Sequence, residues 1–132
     1  NIRSWAEINS KLVYTVGPHA ADHQVEGKYL FSANSTLTST TRITLDTNEQ
    51  AWDIKKNGGT VYVLTAMPNG SGGYTTRIRT DGTNFPVYFE ITTTSFGMSF
   101  DILNGEFYIA QGYDLYGNAT STETGRLYRV TL

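Results

Sequence analysis

The sequence predicts an all-β fold made of repeated antiparallel packets, and three observations carry that expectation. A phrase of short strand, tight turn and second strand occurs three times. The second strand of each copy is dense in aromatic and β-branched residues, and the copies recur at near-constant spacing. The clearest copy runs from Ser99 to Ala110, where Asn104-Gly105 separates Phe100-Asp101-Ile102 from Phe107-Tyr108-Ile109. Asn-Gly between such runs is the strongest short-range hairpin signal. The other copies are Trp5-Ala6-Glu7-Ile8 through Asn9-Ser10-Lys11 into Leu12–Val16, and Ala51-Trp52-Asp53-Ile54 through Asn57-Gly58-Gly59 into Val61–Leu64.

Aligned on Ile8, Ile54 and Ile102, the copies are spaced by 46 and 48 residues; aligned on Tyr14, Tyr62 and Tyr108, by 48 and 46. Short strands at periods of about 40 to 50 residues are the pattern of propeller blades, because one small sheet cannot bury its faces alone and stacks on its neighbours. Residues 1–132 are therefore expected to form a single β-propeller segment with blades over about 1–48, 49–95 and 96–132. The alternative is a β-sandwich in which the repeat is coincidental.

In order, residues 1–8 are expected to form a first strand with Trp5 and Ile8 buried, and Leu12–Val16 a second, nearly all apolar because it is covered on both faces. Gly17-Pro18 opens a loop that lasts to Lys28-Tyr29-Leu30-Phe31, the third strand. The Thr/Ser-rich run from Ala33 to Asp46 reads as an outer strand with one wet face. The second repeat passes through Val61–Leu64 to a loop at Met67–Gly73, then Tyr74–Arg79, a turn at Thr80-Asp81-Gly82-Thr83, and Val87–Ile91. Pro86 stands at the start of that last strand, where a missing N–H does least harm. The third repeat opens near Phe96, passes through Tyr108 and a polar loop from Gln111 to Asn118, and gives Gly125–Val130. It is one strand short of four. Eleven strands in three blades cannot close a ring, since closed propellers have about four to eight blades. The open stack leaves two apolar faces that further blades of a longer chain, or other copies in a homo-oligomer, are expected to cover.

The composition narrows the partners. With 10 Lys+Arg against 12 Asp+Glu, the net charge is −2, which gives no electrostatic footprint for nucleic acid and no basic stripe for an anionic membrane. No apolar run approaches the ~18 residues of a spanning helix, so membrane insertion is not expected. The chain lacks cysteine, so disulfide and thiolate chemistry are excluded. Only 17% of residues are charged, while Ser, Thr and Tyr abound, a surface common in exported β-proteins.

Gly105-Glu106-Phe107-Tyr108-Ile109, Gly125-Arg126-Leu127-Tyr128-Arg129-Val130 and Arg77-Ile78-Arg79-Thr80-Asp81-Gly82-Thr83-Asn84 resemble blades of six-bladed propellers of the TolB or YWTD type, whose strand pairs end in an Asp-Gly turn. The Tyr-Trp-Thr-Asp tetrapeptide itself is missing. The resemblance implies a fold and a binding role.

Glu7, Asp53 and Asp101 each precede the aligned isoleucine. If that strand is innermost, three carboxylates converge on a central channel and offer oxygen ligands to a hard cation such as Ca²⁺. The competing reading is that each caps a turn or bonds backbone in its own blade. Trp5, Trp52 and Phe100 are expected in the core, whereas the loop residues Tyr113, Asp114 and Tyr116 are candidates for contact with a sugar or protein partner. His19 and His23 flank Asp22 in a loop and do not read as a metal site. The chain shows no nucleophile elbow, phosphate loop or HExxH, so no catalytic residue is assigned. Asn34, Asn69 and Asn118 head N-glycosylation sequons at expected loops or strand ends.

The sequence therefore predicts an extracellular, non-enzymatic binding or self-assembling structural module. A carbohydrate-binding lectin or adhesin domain, and a metal-dependent propeller hydrolase using Glu7, Asp53 and Asp101, are the alternatives.

Overall fold

The computed structural model describes residues 2–16, 29–112 and 125–132. Eleven strands form three antiparallel sheets, and no helix occurs among the described residues. Sheet 1 contains β1 (Ile2–Ile8), β2 (Lys11–Val16), β3 (Tyr29–Asn34) and β4 (Thr40–Thr44). Sheet 2 contains β5 (Gln50–Asn57), β6 (Thr60–Pro68), β7 (Tyr74–Thr80) and β8 (Val87–Thr93). Sheet 3 contains β9 (Gly97–Leu103), β10 (Glu106–Gln111) and β11 (Arg126–Val130). Every strand pairs with its sequence neighbour, so each sheet is a meander. The expected packets of four, four and three strands are those observed.

The first hairpin of each sheet follows one plan. Its loop is two residues long, Asn9-Ser10, Gly58-Gly59 or Asn104-Gly105, with φ positive at both positions in every case. That is the type I′ geometry, whose twist matches the flanking strands. The glycines adopt it freely, whereas Ser10 at φ 63° is held there by the Glu7 carboxylate, which accepts its N–H at 2.9 Å. Each first strand then carries a single bulge, at Arg3, Trp52 and Met98. All three bulges lie five residues before the last residue of the strand, Ile8, Asn57 and Leu103 respectively. Bulges twist and re-aim a strand locally, so their recurrence marks a structural repeat.

Turn and bulge together fix the register, and a register fixed that way decides which side chain faces which sheet. Trp5, Ile54 and Phe100 are equivalent, opposite Tyr14, Val63 and Ile109. Thr15, Leu64 and Ala110 are likewise equivalent, opposite Leu30, Ile78 and Leu127 on the third strand of each sheet. The alignment expected from like residues is thereby corrected. Tyr62 and Tyr108 do match, but Tyr14 matches Val63, and Ile8, Ile54 and Ile102 stand at three different distances from their turns.

The sheets stack in order. One core cluster joins Ala6, Val13 and Leu30 of sheet 1 to Ala51, Ile54, Val61 and Val63 of sheet 2. A second joins Leu64, Ala66 and Ile78 of sheet 2 to Phe96, Phe100, Phe107 and Ile109 beside and within sheet 3. Successive side chains alternate across a strand, so sheet 2 offers Val61 and Val63 backward and Leu64 and Ala66 forward. The forward face of one sheet packs on the backward face of the next. Full burial of each of these larger apolar groups contributes about 1.5–3 kcal/mol.

Trp5 corrects a second expectation. Its position faces backward, the side of sheet 1 opposite sheet 2, and it is 64% exposed, while its neighbour Ala6 is buried. Trp52 is buried as expected, with the Arg3 guanidinium 3.8 Å above its ring.

Candidate interaction surfaces

The three acidic residues singled out in the sequence do not occupy one position. Glu7 lies one residue before the end of its strand, Asp101 two and Asp53 four. Among the described residues, no group of three or more His, Cys, Asp or Glu side chains is placed to hold a metal ion. Glu7 accepts from Lys56 Nζ at 2.9 Å and from the Ser10 N–H. The bond to Lys56 chiefly, with the Ser10 bond, holds its carboxyl below the usual range. Both partners are half in water, so the pair contributes little to stability. Asp101 is exposed and accepts the N–H of Ile102.

Asp53 is different. It is buried, and its Oδ1 accepts from Ser4 Oγ at 2.9 Å and from the N–H of Ile54. Its Oδ2 accepts the N–H of Phe100 at 3.1 Å. Ser4, the residue at the same register in sheet 1, accepts the N–H of Ile54 at 3.0 Å. One device therefore recurs: a side-chain oxygen at this register of one sheet takes the backbone N–H that follows the same register in the next. Ser99 is the third residue of the series, on the exposed forward face of sheet 3.

A second polar cluster sits where β4 passes into β5. Glu49 is fully buried, receives Thr65 Oγ1 at 2.6 Å, and is gripped by Arg79 through Nε and Nη2, both at 2.7 Å. Arg79 Nη1 donates to the Phe85 carbonyl at 2.8 Å. Arg77 donates to Asp46, Glu49 and Glu90. Burial pushes the Glu49 carboxyl upward, but its bonds to Arg79 and Thr65 and the charges of Arg79 and Arg77 outweigh it, so the group lies below its usual range. Arg77 and Asp46 hold each other charged in the same way, against the desolvation of each. Every strong group here has a partner, and the cluster ties the linker to sheet 2.

Between sheets 1 and 2 runs a groove of about 350 Å³ whose lining includes Ile8, Lys11 and Ile43 on one side and Asp81 and Phe85 on the other.

The two outer faces of the stack carry the remaining features. The backward face of sheet 1 bears a row across all four strands, Trp5, Tyr14, Phe31 and Arg42. The rings of Tyr14 and Phe31 stack at 5.3 Å and 10°, and the Arg42 guanidinium lies 6.0 Å from the Phe31 ring. The forward face of sheet 3 bears Asp101, Tyr108 and Arg129 in one row and Ser99, Ala110 and Leu127 in the next. Tyr108 Oη donates to Glu106 at 3.0 Å, a bond that raises the phenol's pKa. Leu127 is 69% exposed.

Tyr113, Asp114, Tyr116 and Asn118, like His19, Asp22 and His23, lie outside the described residues. Asn34 caps its own turn, accepting the N–H groups of Thr38 and Ser39 and donating Nδ2 to Thr38 Oγ1. Asn69 is exposed and accepts from Ser71 and Gly73 N–H groups. Sequence reasoning gave Ser4, Ser99 and Leu127 no role, because their significance comes from the register and not from residue type; counting from the turns would have exposed them. It also missed the Glu49 cluster, whose signal was Arg77 and Arg79 flanking Ile78 in a strand.

No protein-family model, curated protein or solved structure matches the chain.

Proposed function

We propose that the chain is a non-enzymatic, extracellular module that acts by recognition and assembly, its three sheets being consecutive blades of a β-propeller that further blades or copies complete. The observation that carries this reading is the repetition of one interface: turn, bulge, forward-to-backward packing and the bond from side-chain oxygen to N–H recur between sheets 1 and 2 and between sheets 2 and 3. Repeats that touch only their neighbours hide their apolar faces by continued stacking. The hydroxyl-rich, weakly charged composition supports the extracellular part of the reading. Electron microscopy of the native particle tests it. Sheets related by a rotation about one shared axis are the expected result, and a straight stack without such an axis would overturn the propeller.

The exposed Trp5, beside the half-buried Tyr14 on the next strand, favours a second reading, a surface on which a sugar ring stacks. A glycan array, with Trp5→Ala as control, tests it.

A further inference from the structure

We propose that two copies of this chain associate head to tail, the forward face of sheet 3 in one copy covering the backward face of sheet 1 in the other, to make a closed ring of six sheets. The inference rests on the propeller reading above and adds the occupant and its register.

Equivalent positions carry the argument. Ile54 and Phe100, each 3% exposed, face backward and are covered by the preceding sheet. Trp5 holds the same position in sheet 1 and stands in water. Leu30 and Ile78, fully buried, face forward and are covered by the following sheet. Leu127 holds the same position in sheet 3 and stands in water. Leu30 shares its cluster with Ile54, and Ile78 shares its cluster with Phe100. The next pair in the series is Leu127 with Trp5 of a second copy. The polar series ends in the same two places: after Ser4 to Ile54 and Asp53 to Phe100, the next bond runs from the Trp5 N–H of the second copy to Ser99 Oγ. Large apolar groups are thus retained at both outer faces where a merely solvated surface would not need them. Stoichiometry follows from closure. Propeller rings hold about four to eight blades, and six is the multiple of three in that range. A closed ring of two copies has twofold symmetry, so the contact is made twice, Leu127 of each copy meeting Trp5 of the other.

The test uses residues 1–132, their mass followed by sedimentation against concentration, for wild type, Trp5→Arg, Leu127→Asp and the double variant. Both substituted side chains are exposed in the single chain, and circular dichroism checks that folding is kept. The expected result is a two-chain particle that each single change weakens about 100-fold or more, with recovery of about tenfold or more in the double variant, where the introduced guanidinium meets the introduced carboxylate of the other copy. Trp5 fluorescence shifts to the blue on association. A wild-type chain that stays single, or singly substituted chains that associate undiminished, overturns the inference. A two-chain particle sensitive to Trp5→Arg and indifferent to Leu127→Asp is a back-to-back pair of first sheets, and also overturns it. A single wild-type chain whose Trp5 responds to glycans assigns the face to a sugar. The propeller reading is judged separately by the axis relating the three sheets within one chain, so a single chain with that axis sinks only the present inference.

Discussion

Asp53 Oδ2 receives the backbone N–H of Phe100 at 3.1 Å across the gap between two sheets, while Oδ1 of the same carboxylate receives the hydroxyl of Ser4 from the opposite side. One side chain in the middle sheet thus clamps both neighbours.

Removing that clamp costs stability. Asp53→Ala removes the carboxylate and leaves the Phe100 N–H without its acceptor and the Ser4 hydroxyl without one of its own, an expected loss of about 3 kcal/mol. Asp101→Ala, at an exposed residue that bonds only its own neighbour among the contacts described above, changes stability by about 0.5 kcal/mol or less. Urea unfolding of both variants measures the contrast.

Acid should weaken the fold through Glu49. Its folded pKa lies below the usual 4.5, so its contribution is complete above that value and is lost as pH falls through the lower folded one. Unfolding free energy followed from pH 6 down to 2 should fall in that window, and Glu49→Gln should flatten this part of the curve. The variant itself is weaker at pH 7 by about 3 kcal/mol, because the buried Arg79 loses its close charge partner and keeps only the longer contact to Asp46 at 3.7 Å.

Ser10 sits in a left-handed conformation that its two glycine-bearing counterparts adopt without cost. Ser10→Gly should raise stability by about 1 kcal/mol, since a non-glycine residue there costs about 1–2 kcal/mol. A higher midpoint in thermal unfolding checks it.

Position in the stack should decide the cost of one and the same truncation. Ile78→Ala, between sheets 2 and 3, is expected to cost about 2–5 kcal/mol. Leu127→Ala, at the equivalent position on an open face, should cost about 0.5 kcal/mol or less when the chain is dilute. Parallel denaturant melts give both values.

Glycosylation should favour one sequon over another. Asn69 is exposed and uses its carbonyl oxygen for its turn, leaving the amide nitrogen for a sugar, whereas the Asn34 nitrogen is committed to Thr38. In a eukaryotic secretory host, peptide mapping should find higher occupancy at Asn69 than at Asn34.

The sequence announced its hairpins because their signals are local. Asn104-Gly105 and Gly58-Gly59 permit positive φ, and Val61–Leu64 and Phe107–Ile109 have the residues of buried strands. The exact correspondence of the copies was not legible, since it depends on a bulge, and a bulge at Arg3, Trp52 or Met98 leaves no common residue type behind. The exposure of Trp5 was hidden for a related reason. A tryptophan in a strand looks like core wherever it stands, and only the order of stacking reveals that nothing precedes it among the described sheets. The buried pair Glu49 and Arg79 is 30 residues apart in sequence and is assembled by tertiary packing alone.

Because each strand pairs with the one before it, none of these sheets waits for a distant segment of chain to arrive. Pairing neighbouring strands closes shorter loops than pairing remote ones and costs less entropy, so each packet can zip up soon after its residues are free to move. What remains slow is the docking of finished packets, and a packet made first spends that interval with its flank unshielded.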